Sequence, residues 1–180
     1  MATSHLIYKD EITNYLKDTF PEDATILDVG AGEGTYYNYL KDYFENIDAV
    51  EVFEPNIVKY DLEEKYNKVY ETNIKDFEYD YYDVIIFGDV IEHLEIPEAQ
   101  KVLEYAKDRC KEMIVAVPYL NKQGIEEDNV FEIHKQDDLT DEIMKERYPY
   151  LKNVFKTIFY GYYIKENNYE EFCSKIIDRL

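Results

Sequence analysis

The stretch Tyr82 to Asp89, YDVIIFGD, constrains the fold more than any other part of the chain. Its apolar run does not alternate, so neither face of a strand there can meet water. Such a strand lies inside a sheet that is covered on both sides. ATILDVG is a shorter continuous apolar strand before it, and DAVEVFE, KVYETN and, after it, EMIVAVPY read as further strands. Between them the apolar residues return at a helical period. Ile12, Tyr15, Leu16, Thr19 and Phe20 form one such face, stopped by Pro21, and Tyr36, Tyr39, Leu40, Tyr43 and Phe44 form another. Pro55 opens a third helix, rich in charge, and a fourth begins near Pro97 and carries Val102, Leu103 and Ala106. Strands that alternate with helices call for crossover connections and a parallel sheet. The expected class is therefore α/β, a doubly wound, mostly parallel sheet of six or seven strands with helices on both faces.

After Tyr119 this rhythm breaks. A loop of roughly 17 residues, 120–136, leads to a helix around Leu139, Ile143 and Arg147. NVFKTIFYGYYIKE then reads as one long strand or as a hairpin bent at Gly161, and YEEFCSKIIDRL closes the chain as a helix. We expect one domain over 1–180, with an N-terminal helix in 1–21 and a lid or acceptor loop in 120–136.

The charge narrows the partners. Forty acids against 20 bases give a net charge of −20, which repels a phosphate backbone, and no Lys/Arg cluster offers a local exception. Nucleic acid is not expected as a partner. The N-terminal MATSHLIYKDEI meets acids too early for a signal peptide, and no apolar run approaches the ~18 residues that span a bilayer. Cys110 and Cys173 stand in unrelated settings and read as reduced thiols. An acidic cytoplasmic protein without a membrane partner is expected, its oligomeric state left open.

Directly after the first strand comes Asp28-x-Gly30-x-Gly32-x-Gly34. Glycine permits positive φ and lets a ligand lie against bare backbone. The following helix presents unpaired N–H groups. This spacing is neither the G-x-G-x-x-G of dinucleotide sites nor a loop ending in G-K-[ST]. Further signals follow in order: Glu51 and Glu54 in VEVFEPN, Asn73 and Ile74 in ETNIKDF, GDVIEHL after the fourth strand, and DNVFEIH beyond the fifth.

Together these resemble the class I S-adenosylmethionine-dependent methyltransferases, of the small-molecule type that carries "EHL", well over about residues 22–135 and loosely elsewhere. The resemblance implies a Rossmann-like fold with S-adenosyl-L-methionine as cofactor. It also implies that Asp28, Gly30, Gly32 and Gly34 receive the cofactor's amino-acid end and that an acid after the second strand takes the ribose. Glu51, at about the family's distance from Asp28, is preferred for that role. Glu54, immediately before Pro55, is the alternative. Asn73 and Ile74 would edge the adenine, where the family usually has Asp in place of Asn. Gly88 and Asp89 would border the sulfonium.

Methyl transfer aligns donor and acceptor and often removes a proton from the acceptor. His93, His134 and Asp89 are the catalytic candidates, the histidines because imidazole titrates near neutrality. His93 can equally cap the next helix or pack under the cofactor, and His134 can equally anchor its loop. Asp89, Glu92, His93 and His134 are residue types that bind divalent ions, yet nothing in their spacing selects for a metal and none is expected. The expected activity is methyl transfer to a small-molecule acceptor. The alternatives are a non-catalytic cofactor-binding or partner-binding module on the same fold, or an aminopropyltransferase-type enzyme.

Overall fold

The computed structural model describes residues 6–125 and 128–177. In chain order its elements are α1 (Lys9–Thr19), β1 (Thr25–Val29), α2 (Thr35–Leu40), β2 (Asn46–Glu51), α3 (Glu54–Lys59), α4 (Leu62–Lys65), β3 (Lys68–Glu71), β4 (Tyr82–Gly88), α5 (Ile96–Lys107), β5 (Cys110–Pro118), α6 (Asp141–Arg147), β6 (Leu151–Lys156), β7 (Tyr160–Lys165) and α7 (Tyr169–Ile177).

The strands form one sheet in the order β3-β2-β1-β4-β5-β7-β6. The first five pair in parallel, and β7 runs antiparallel to both β5 and β6. Strand β4 is central, as its unbroken apolar run requires. Its side chains divide between two cores: Ile85 and Phe87 pack with α5 and α6, while Val84 and Ile86 pack with α1, α2 and α7. Neighbouring β1 divides in the same way, with Leu27 and Val29 on one side and Ile26 on the other. Burying both faces of such strands, at roughly 25 cal/mol per Å² of apolar area, is the main term that favours this sheet.

Two local signals explain how α5 is set. Pro97 lies in its first turn, and Glu95 and Glu98 form a reciprocal capping box. The C-terminal run is a hairpin, but its bend lies at residues 157–159 rather than at Gly161. Gly161 sits inside β7, where a Cβ would come within 1.9 Å of the Tyr119 hydroxyl. Its missing side chain makes room for a packed ring and does not mark a turn. Both cysteines are free thiols, Cys110 buried and Cys173 half-buried. Among the described residues, no helix is long and apolar enough to cross a membrane.

In this strand order the chain reverses direction across the sheet between β1 and β4. The crevice beyond their carboxyl ends is where open α/β sheets bind ligands.

Candidate active site

A cavity of about 270 Å³ opens at that crevice, walled by the ends of β1, β2, β4 and β5 and by the segment after β5. Its floor is the glycine loop at Gly30 and Gly32, while Gly34 lies outside the wall and faces Lys65 and Tyr66. Gly30, Gly32 and Gly34 have φ of 69°, 53° and 81°, a region that L side chains enter at a cost. The loop is stitched to β2: the Gly30 N–H donates to the Val50 carbonyl at 2.8 Å, and the Gly32 N–H donates to the Glu51 carboxylate at 2.8 Å.

Glu51 is 5% exposed, lines the cavity and also accepts the Phe53 N–H at 2.9 Å. Burial raises its pKa, opposed by these backbone bonds. Glu54 is exposed at the first residue of α3 and stands outside the cavity wall. Asp28 is buried at the end of β1 and accepts the Tyr66 hydroxyl at 2.6 Å. It does not line the wall. Burial pushes its carboxyl up to about 7, while the Tyr66 bond and the charge of Lys9 pull it down.

Lys9 is a residue that periodicity gives no means of finding. It is fully buried, with its ammonium 3.8 Å from the centroid of the Tyr36 ring. Burial pulls its pKa down to about 8, against the charges of Asp89 and Asp28. The same Tyr36 ring explains Gly88, where a Cβ would lie 2.3 Å from it.

Asp89 follows Gly88 with φ 57° and accepts the Tyr160 hydroxyl at 2.8 Å. Asn73 and Ile74 line the opposite part of the wall, and the Asn73 side chain caps the next turn by accepting the Lys75 N–H at 3.1 Å.

The remaining wall comes from beyond β5. The Lys135 and Gln136 N–H groups both donate to the Glu92 carbonyl, at 2.8 and 3.0 Å. The buried Gln136 side chain donates to the Ile91 and Leu94 carbonyls and accepts the Tyr148 hydroxyl. This lock brings the two histidine segments together, so the His93 and His134 rings lie 4.7 Å apart, nearly perpendicular. Glu92 joins them, 1% exposed, and one potential donor atom from each of the three residues falls within 4.8 Å of the others. Burial and the His134 ring push His93 down to about 4, against carbonyls of Ile133 and Glu132. Burial and the charges of Asp89 and Glu132 push Glu92 well up.

Comparison with known families agrees with this arrangement. The profile of the family described as "Methyltransferase domain" matches residues 5–146. The chain belongs to that family. It is an enzyme of the S-adenosylmethionine-dependent class I methyltransferases, and S-adenosylmethionine is the cofactor that this membership assigns to it. Among solved structures, an S-adenosylmethionine-dependent methyltransferase from Clostridium acetobutylicum is 12% identical, with 86% of this chain and 88% of that chain covered and a TM-score of 0.64. The PH0226 protein from Pyrococcus horikoshii is 17% identical, with 88% and 86% covered and a TM-score of 0.64. The 1,6-didemethyltoxoflavin-N1-methyltransferase of Burkholderia thailandensis, solved with 1,6-didemethyltoxoflavin and S-adenosylhomocysteine, is 13% identical, with 86% and 76% covered and a TM-score of 0.64. These identities show a shared fold. No curated protein matches the chain. The methyltransferase's cavity fits a cofactor that carries sulfonium and ammonium charges, since Glu51 and Asp89 face it beside a bare glycine backbone.

Proposed function

We propose that this methyltransferase acts on a small-molecule acceptor bound between the end of β4 and the segment 120–136, which serves as a lid. The observation that carries this reading is one cavity joining the Glu51-bonded glycine loop to the His93–His134 pair. The donor and acceptor halves of a transfer site are continuous. S-adenosylmethionine supplies a methyl carbon made electrophilic by its sulfonium.

The chain's own residues divide the remaining work. Gly30 and Gly32 give the amino-acid end a side-chain-free floor, Gly34 completes the turn into α2, and Asp28 beneath them adds negative potential once it ionises, near pH 7. Glu51 takes the ribose hydroxyls; its place in the wall supports it over Glu54. Asn73 and Ile74 edge the adenine, where a carboxamide can bond the amino group. Gly88 and Asp89 border the transferred group, and the Asp89 carboxylate is held toward the cavity by Tyr160.

His93 and His134 face the acceptor as candidate bases. His93, with its proton affinity depressed by burial, stays neutral at physiological pH and offers a lone pair, though it holds a proton only weakly. Acceptor choice resides in the 120–136 lid, since binding loops on a rigid scaffold carry specificity. The −20 charge and the concave cavity support a small metabolite in the cytoplasm over a nucleic acid or a membrane surface.

The test is calorimetric titration with S-adenosylmethionine and its demethylated product, beside NAD, on wild type and Gly32→Val. Micromolar binding of the first two alone, lost in the variant, is expected. A metabolite extract with methyl-labelled cofactor then identifies the acceptor by mass spectrometry. No cofactor binding by the folded protein would overturn the reading. Label appearing only in nucleic acid or protein would overturn the choice of acceptor.

A further inference from the structure

We infer that Glu92, His93 and His134 form the protein half of a site for one divalent transition-metal ion at the acceptor end of the cavity. The sequence gives no reason to expect it, because His134 lies far along the chain from the adjacent pair. The fold supplies the reason by bonding the Glu92 carbonyl to the N–H groups of Lys135 and Gln136, one and two residues after His134.

Three observations converge. The first is Glu92 itself. Its carboxylate lies on the cavity wall, yet both oxygens are buried and neither has a hydrogen-bond partner among the described residues. Burying a carboxyl group without a partner is costly, and a cation is the partner that such a group most favours. The second is the orientation of the imidazoles. Nδ1 of His134 lies 2.8 Å from the Asn121 carbonyl, and Nδ1 of His93 lies 3.4 Å from the Ile133 carbonyl. A carbonyl can only accept, so in the neutral form of each ring Nδ1 carries the proton and Nε2 keeps its lone pair. Metal-ligating histidines are oriented in this way, with the second nitrogen donating to a backbone or carboxylate oxygen.

The third is distance. Donor atoms no more than 4.8 Å apart fit around a common centre about 2.8 Å from each, against about 2.0–2.2 Å for bonds to nitrogen and oxygen. Side-chain adjustments of under about 1 Å close the site, which the lock at Gln136 already holds in register.

The donor set selects the ion. Two imidazoles and one carboxylate suit zinc, iron, cobalt or manganese, whereas calcium and magnesium favour all-oxygen shells. Three protein ligands leave at least one position open toward the cavity, and with the ion bound the two imidazoles are ligands and no longer act as bases. The acceptor class that this favours carries an oxygen or nitrogen donor able to fill that position.

The test uses the chelator-treated full chain without cofactor or acceptor, so its outcome is independent of the methyl-transfer reading. Zn²⁺ and, separately, Co²⁺ are titrated by calorimetry, with visible absorption of bound Co²⁺ and the thermal midpoint as further readouts. One ion per chain at micromolar affinity or tighter, with a raised thermal midpoint, is expected. Glu92→Gln and His134→Ala each weaken binding at least about 100-fold, while Glu63→Gln on the exposed face of α4 leaves it unchanged. Circular dichroism confirms that each variant is folded, and His93→Ala replaces any that is not. Millimolar or absent binding by wild type overturns the proposal, as does equal binding by the folded variants. A Glu92→Gln chain that gains stability while wild type ignores metal would show a neutral buried carboxylic acid instead.

Discussion

The Glu51 carboxylate accepts the Gly32 N–H at 2.8 Å, joining the end of β2 to the crown of the glycine loop. A single acid thus shapes the floor and also faces the cavity. Glu51→Ala should weaken S-adenosylmethionine binding about 30-fold, roughly 2 kcal/mol, because it removes a charged acceptor and leaves two N–H groups unpaired. Glu54→Ala should change it less than about twofold. Calorimetry on the pair decides between the two acids.

Gly88→Ala should be destabilising by about 1–3 kcal/mol, since its Cβ meets the Tyr36 ring at 2.3 Å in a packed interior. In a chain of this size that lowers the thermal midpoint by about 2–10 °C. Combining it with Tyr36→Leu should recover part of the loss, giving a non-additive double-mutant cycle. Additive effects would show that the ring is not the obstacle.

Asp28 makes stability depend on pH. Its folded-state pKa of about 7 lies above the ordinary carboxylate value of 3.8, with burial as the main cause. Between roughly pH 4 and pH 7 the folded chain holds a proton that the unfolded chain has released, so raising pH favours unfolding. Asp28→Asn keeps an acceptor for the Tyr66 hydroxyl and cannot ionise. Its stability relative to wild type should therefore grow across that window, by on the order of a few kcal/mol. Denaturant midpoints of both proteins at several pH values between 4 and 8 measure this. A constant difference would mean that Asp28 titrates normally.

Gln136 should matter to the acceptor more than to the cofactor. Gln136→Leu strands the Ile91 and Leu94 carbonyls and the Tyr148 hydroxyl, costing about 2–4 kcal/mol. It also loosens the segment that carries His134. With the identified acceptor, KM should rise at least about tenfold while cofactor affinity stays within about twofold. Equal losses for both ligands would indicate general unfolding of the wall.

The parallel strands and the glycine loop were legible because their cause is local: continuous apolar runs, and glycines at alternate positions where the chain turns. Gly161 misled for a related reason. In sequence a glycine signals a bend, and only the fold shows that the Tyr119 ring occupies the space. Lys9 was invisible because a lysine on an amphipathic helix ordinarily meets water. Its burial depends on Tyr36 and on the acids Asp28 in β1 and Asp89 just after β4, which no pattern within α1 records. Glu51 and Glu54 were both candidates because spacing along the chain does not say which side chain turns inward. The approach of His134 to His93 depends on backbone bonds from Lys135 and Gln136, and backbone bonds leave no trace in side-chain identity.

Strand β7 lies between β5 and β6 and brings the Tyr160 hydroxyl to Asp89. A chain leaving the ribosome has its glycine loop and five parallel strands in hand while the outer edge of β5 is still bare. Asp89 gains its tyrosine only from the last strand to be made. That wall of the cavity is thus finished late in translation, and a chain interrupted after residue 136 would carry the glycine loop and Glu51 without the tyrosine that holds Asp89 in place.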